Sequence, residues 1–412
     1  MTSHLSPSKL KLFQFSLLQM CIIASYGFAR PVTDSLFLEH YGAKGLPNVF
    51  LLSAAATVVA MAVYNRFNAR YSLLALLGGA ATLSSLLLCL GLLAFKMQIP
   101  YAVYGLYVWR EVYMILLVEI FWSLADTLFN IRSARKSYGI VLGMGSLGGF
   151  AVNLMVGPIS MRIGTEWALL GVLPCLGLCT ILTLAFSRTL GGKPVFKKSD
   201  VKQLGAGSLS VVRNSRYLLP LLFLIAIVQI SISLVDLQFN AALEIAYPEM
   251  NARTGMIGQV HAVIDVFATF LQFFSGMVIG SLGTGGVFVG IPITLGLAIL
   301  SFIVSPHFLT AAILKVTSKC FDYSIFRASK EMLYIPLSHL EKTQGKALID
   351  ILIYRVAKSS AALLMIFLIS IQFSDYVMHI AMSLMFAWIL LAVVIVKRYK
   401  AVLSVRRSFE KN

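Results

Sequence analysis

RTLGGKPVFKKSDVKQLGAGSLSVVRNSR, residues 188–216, is the one long polar stretch in the chain. Rich in Gly, Ser and Lys, it cannot enter a hydrocarbon core and has to lie in water. On either side of it, apolar blocks recur along nearly the whole length. Each block is long enough, at about 1.5 Å per residue, to cross a core of roughly 30 Å. The blocks before the stretch predict spans over 12–38, 46–65, 72–95, 101–131, 137–161 and 167–187. Those after it predict spans over 217–243, 256–281, 286–305, 308–335, 346–373 and 376–396. They are continuously apolar instead of alternating every second residue, so they read as helices and not as barrel strands. The expected fold is therefore an all-α membrane protein with twelve transmembrane helices. Residues 1–187 form an N-terminal six-helix bundle, 188–216 a basic cytoplasmic linker, and 217–412 a C-terminal six-helix bundle with a basic tail.

Composition agrees. Of the 412 residues, 58% are apolar and 12% charged, and the mean hydropathy is +0.85. A soluble domain carries about half apolar and a quarter charged residues, and could not hide this excess. The net charge of +17 would suit nucleic acid only if it were clustered in one patch. Instead it follows alternate loops. With the N-terminus inside, the inner side collects Lys9, Lys11, Arg66, Arg70, Arg132, Arg135 and Lys136, then the linker, then Arg327, Lys330, Lys342, Lys346 and the tail. The outer side carries little beyond Lys44, Lys96, Arg162 and Arg253. This is the positive-inside pattern. It predicts a multi-pass inner-membrane protein in a lipid bilayer, with both termini cytoplasmic and no nucleic-acid partner. The first span contains Arg30 and lacks a cleavage site, so it is expected to be retained. The five cysteines all fall inside apolar spans and suggest neither a disulfide framework nor a metal site.

Ionisable residues inside spans are costly, and each is a functional candidate. The cations are Arg30, Arg110, Lys315, Lys319, Arg355 and Lys358, and the acids Asp34, Glu111, Glu119, Asp126, Asp236, Asp265, Asp322 and Asp350. Arg110, Glu111, Asp126 and Asp350 read as residues near helix ends, where snorkelling lowers the cost. At α-helical spacing, Lys315, Lys319 and Asp322 share one face, as do Asp350, Tyr354 and Lys358 with Arg355 beside them. Arg30 and Asp34 lie four apart. Such residues could simply pair with one another and lock helix packing. Their concentration in the first, tenth and eleventh spans also suits an anionic substrate whose charge they offset. Pro31 is expected to break the first helix in mid-span and free backbone groups.

GMGSLG at 143–148 matches the dinucleotide pattern G-x-G-x-x-G, but it sits inside an apolar span with no strand before it. Small residues at this spacing let membrane helices approach closely. No G-x-x-x-x-G-K-[ST] loop is present, so the expected engine is a secondary carrier and not an ATPase. Two bundles joined by a basic linker match the plan of major-facilitator transporters. Two other classes compete. A lipid-modifying membrane enzyme would need a His or paired carboxylates at the interface, and only His261 lies well inside a span, while His4, His40, His307, His339 and His379 lie near ends or loops with no partner at i+3 or i+4 for metal or relay work. Proton-coupled movement of another solute would cycle Asp34, Glu119 or Asp236. Neither cofactor nor metal is expected, and the chain is read as a monomer that is not an enzyme.

Three stretches carry a specific resemblance. ARPVTDSLFLEHYGAKGLPNVFLL (29–52), FWSLADTLFNIRSARKSYG (121–139) and KCFDYSIFRASKEMLYIPLSHLEKTQGKALIDILIYRVAKS (319–359) resemble the ATP:ADP antiporters of plastids and obligate intracellular bacteria. The third is the most specific, being similar to the family's K-x-x-x-Y-S-x-F-x-x-x-K-E-M-x-Y-I-P-L and K-x-K-G-K-A-x-x-D-x-x-x-x-R-x-G-K-S. The resemblance marks Arg30, Asp34, Lys319, Lys330, Glu331, Lys346, Asp350, Arg355 and Lys358 as family positions. It implies a nucleotide substrate moved by alternating access. SLVDLQFN (233–240) resembles the family's L-V-E-x-x-W-K, with Asp236 for its acid and Asn240 for its lysine. Thr33 replaces another family lysine, and Arg132 and Ser133 replace an acidic pair. These departures leave open a nucleotide with fewer phosphates, or another phosphorylated or carboxylated metabolite. The expected substrate-binding set is Arg30, Asp34, Asp236, Asn240, Lys315, Lys319, Asp322, Asp350, Arg355 and Lys358.

Overall fold

A computed structural model describes residues 9–68, 70–128, 131–191, 194–196, 208–334, 337–338, 341, 345–346 and 348–409. Among the described residues there is no β-strand. The long helices are α1 (Lys9–Asn68), α2 (Leu73–Lys96), α3 (Ala102–Leu128), α4 (Ile131–Ile163), α6 (Val172–Thr189), α8 (Leu218–Ala246), α9 (Met250–Val304), α10 (Phe308–Phe321), α12 (Tyr354–Ser370) and α13 (Val377–Phe409). Short α5 (Thr165–Ala168), α7 (Ser208–Asn214) and α11 (Arg327–Leu333) lie between them. Among the described residues, seven helices are long and apolar enough to cross a membrane. Their outer faces show large apolar side chains, such as Leu83, Leu86, Leu90 and Leu93 on α2, as expected where lipid replaces water as the solvent.

At 60 and 55 residues, α1 and α9 are each two helices joined at a kink. The kinks fall at Gly42 (φ 63°) and Gly283 (φ 69°), where a side chain would be strained in the left-handed region. The break in the first helix therefore lies at Gly42 and not at Pro31, as the sequence suggested. Pro31 stays inside the helix with helical dihedrals. It removes only its own N–H, which leaves the Gly27 carbonyl without its usual helical donor.

By internal packing the chain forms two units. Unit 1 comprises Met1–Lys198 together with Tyr247–Val266, and unit 2 comprises Ser199–Ala246 together with Phe267–Asn412. In unit 1, α1 packs on α3, α4 and α6, and α2 closes against α3 and α6. Phe15 stacks on Phe121 with centroids 4.3 Å apart, fixing the α1–α3 contact. The 143–148 glycines lie within α4. A Cβ on Gly148 would stand 2.7 Å from the Met20 carbonyl, so this motif serves close packing of α4 on α1 and not phosphate binding. In unit 2, α8 packs on α10, α12 and α13, and Phe326 sits edge-on between Phe288 and Trp388.

Tyr247–Val266 is held in unit 1 by direct contacts. Arg253, 3% exposed, reaches the Glu39 carboxylate at 3.3 Å and donates to the carbonyls of Tyr247, Pro248 and Ser35. Asn251 accepts from the Thr165 backbone and hydroxyl, while Gly255 lies against Gly157. Sequence reading had placed Arg253 among loop charges. Its guanidinium is instead buried because five donors can satisfy several carbonyls and one carboxylate together.

Candidate functional site

Unit 1 brings Asp34 of α1 against Arg110 of α3. One guanidinium nitrogen, Nη1, donates to Asp34 Oδ1 at 2.5 Å, to Thr33 Oγ1 at 2.9 Å and to the Arg30 carbonyl at 3.2 Å. Nη2 donates to Glu111 Oε1 at 2.9 Å, and the group lies over the Tyr107 ring, 4.0 Å from its centroid. Its side chain is 2% exposed. Arg30 approaches the other oxygen of Asp34 at 3.9 Å, and its guanidinium lies 5.7 Å from the Tyr26 centroid. Arg110 and Glu111 thus correct the expectation of residues near a helix end. They sit inside α3, and the ion pairs offset desolvation that snorkelling cannot relieve there. Adjacent Arg and Glu in an apolar run was the signal available in the sequence.

Unit 2 repeats this chemistry. Asp236 of α8 takes Lys315 Nζ at 2.5 Å on Oδ1 and Lys319 Nζ at 2.8 Å on Oδ2. The two lysines lie one turn apart on α10, as their spacing predicted. Lys315 also lies over the Phe239 ring at 5.2 Å. Asn240, at a position where the resemblance expects lysine, folds back to donate to the Asp236 carbonyl at 2.7 Å. Its amide satisfies the helix backbone and adds no charge.

Beyond Lys319 the α-helical register ends. Asp322–Phe326 is a π-helical turn, which has more residues per turn and changes the direction of every following side chain. Asp322 accepts from Gln229 Nε2 at 3.2 Å. A second π turn, Leu348–Ile353, carries Asp350, whose side chain is outside the described residues. The stripe of Asp350, Tyr354 and Lys358 assumed α-helical spacing, and the π turn replaces that spacing. Arg355 and Lys358 follow on α12, both half-buried. Lys330 donates to the Tyr354 hydroxyl at 3.2 Å and Lys346 pairs with Glu331 at 2.6 Å, so three family positions meet partners, one of them at the first residue of α12. Arg132 and Ser133 have side chains outside the described residues.

The cations are therefore held beside carboxylates and aromatic faces in a low-dielectric setting, where they attract anions more strongly than in water. The chemistry available is reversible anion binding; the Ser305 hydroxyl and His307 ring that meet at 2.9 Å are exposed and lie outside the charged clusters.

Comparison with known proteins agrees. The family model described as the TLC ATP/ADP transporter matches residues 191–399, just over half of the chain. The chain is 26% identical to ADP,ATP carrier protein 1 of Chlamydia trachomatis, covering 86% of this chain and 81% of the relative. It is 22% identical to ADP,ATP carrier protein 3 of Rickettsia bellii, covering 86% of each. Among solved structures, a bacterial homologue of the iron transporter ferroportin in its inward-facing state superposes with a TM-score of 0.69 at 12% identity, covering 94% of this chain and 99% of that one. A nucleoside transporter superposes at 0.66 and 12% identity, covering 96% and 99%. Both likenesses speak to the fold alone, which this chain shares with these two transporters. With these matches and the buried cations together, the chain is a multi-pass membrane transporter and not an enzyme, and it belongs to the TLC ATP/ADP transporter family.

Proposed function

We propose that this protein is a secondary carrier that exchanges a phosphorylated nucleotide, of the ATP/ADP type, across a bacterial inner membrane by alternating access. The reading rests above all on one observation: each unit holds two cations against a single carboxylate inside apolar helices. Placing such charges in a membrane is expensive unless they are used. In this proposal Arg30 and Lys319 meet phosphate oxygens, with Arg355 and Lys358 on α12 adding positive potential. The relatives named ADP,ATP carriers support the substrate class. The kinks at Gly42 and Gly283 divide α1 and α9 into two helices each, which supports twelve membrane crossings, six on each side of the 188–216 linker. We take the carrier to be a monomer with both termini in the cytoplasm.

The test is counterflow in proteoliposomes. Vesicles loaded with ATP should take up labelled ADP at least tenfold faster than empty vesicles, and Lys319→Gln should abolish that difference while the protein stays folded. Equal uptake by loaded and empty vesicles would reject exchange. An uptake rate set by an imposed pH gradient, with no effect of internal nucleotide, would favour proton-coupled movement of another phosphorylated or carboxylated solute.

A further inference from the structure

The two acid–cation clusters share a plan, one aspartate holding two cations with a ring beside the inner one, but build it from different helices. In each unit the aspartate lies on the first long helix, α1 or α8, with a phenylalanine one turn on, Phe37 or Phe239. A cation from the helix two elements later in the chain, α3 or α10, closes on that aspartate. The sequence separation is 76 residues for Asp34 and Arg110, and 79 for Asp236 and Lys315. An aromatic ring sits under the cation both times, Tyr107 from the cation's own helix and Phe239 from the aspartate's. In each unit a second cation then shares the same carboxylate, Arg30 from the aspartate's own helix and Lys319 from the inner cation's.

The two cations on one carboxylate are not equivalent. Arg110 and Lys315 are each 2% exposed and stand 2.5 Å from their oxygens. Arg30 is 15% exposed at 3.9 Å, and Lys319 is 9% exposed at 2.8 Å. The inner cation is therefore the fixed counterion, since removing it would strand a buried carboxylate. The outer one is more accessible and stands farther from its carboxylate oxygen, so it is the cation an arriving anion can reach.

We propose that Asp34 and Asp236 are internal stand-ins for the substrate's anionic groups. Each holds the outer cation, Arg30 or Lys319, while the carrier is empty, and yields it to a phosphate oxygen on binding. Resting on the phosphorylated-substrate reading above, this assigns Lys315 and Arg110 to holding the carboxylates and not to touching substrate. It also makes the aspartates competitors of the ligand: neutralising either one should tighten anion binding, whereas an acid needed only for packing would not.

The experiment follows thermal unfolding of the purified full chain in detergent, in sodium phosphate against sodium chloride at equal ionic strength, and then with ATP and ADP. Asp236→Asn and Asp34→Asn should melt lower than the parent in chloride but gain more from phosphate. The apparent phosphate dissociation constant should fall about tenfold, equivalent to about 1.4 kcal/mol. Asp236→Glu should restore the parent's behaviour. Lys319→Gln should keep the parent's stability and lose the phosphate response, whereas Lys315→Gln should lose stability itself. Phosphate stabilisation of the asparagine variants no greater than the parent's overturns the proposal. So does a Lys319→Gln protein as destabilised as Lys315→Gln, a comparison that stands even if neither asparagine variant folds. If ATP and ADP fail to stabilise the parent while the phosphate contrast holds, the nucleotide reading falls alone. If nucleotides bind the parent and the asparagine variants bind no more tightly, the stand-in role falls alone.

Discussion

Arg110 shows what a single residue can decide. It satisfies two carboxylates, a hydroxyl and a carbonyl from one planar fork, a geometry that lysine's single ammonium cannot reproduce. Removing one partner of such a buried set costs roughly 3–5 kcal/mol, because the remaining charge stays desolvated. Glu341, in the segment between the tenth and eleventh expected spans, is a contrasting case. Burial pushes its carboxyl up, but the Ser215 hydroxyl and the Ser338 backbone and hydroxyl donate to it and hold it below the ordinary value of 4.5. A carboxyl lowered in the folded state contributes stability above its unfolded value and loses it as pH falls through the folded one. Melting temperature measured from pH 6 down to pH 3 should therefore drop more steeply in the parent than in Glu341→Gln. Parallel curves would remove that role.

Helices here are placed by what lies between them as much as by their own apolarity. The Met250–Val266 part of α9 approaches α4 closely because glycines leave room: a Cβ on Gly258 would stand 2.4 Å from the Asn153 carbonyl, and one on Gly157 would stand 2.9 Å from Gly255 Cα. Asn153 in turn donates to Asp265 at 2.8 Å. Gly258→Ala should cost about 1–3 kcal/mol, the range for overpacking, read as a lower melting temperature. Gly79→Ala, which meets open space, is the control and should melt like the parent. Helix existence was legible from hydropathy, including the spans on either side of the kinks. Gly42 and Gly283 fall in the gaps left between expected spans, but the accommodation of Pro31 was not legible, since Pro31 is a strong breaker in isolation and only neighbouring helices show that it is tolerated. Nor were the π turns at Asp322–Phe326 and Leu348–Ile353, which change register without any change in apolar pattern.

At the scale of the whole molecule, charge asymmetry sets orientation. If the basic loops face inward, a green fluorescent protein fused after Asn412 should fluoresce in cells, whereas one fused after Met97 should stay dark. The opposite result would reverse the topology and with it the cytoplasmic placement of the 188–216 linker. That the chain spans a membrane many times, carries its cations at alternate loops and hides ionisable groups in apolar runs was determined by sequence alone. Transfer free energies add over contiguous residues and need no partner. Which acid meets which cation was decided only by the fold. Asp34 and Arg110, or Asp236 and Lys315, are more than seventy residues apart, and ion pairing depends on distances that no local pattern encodes.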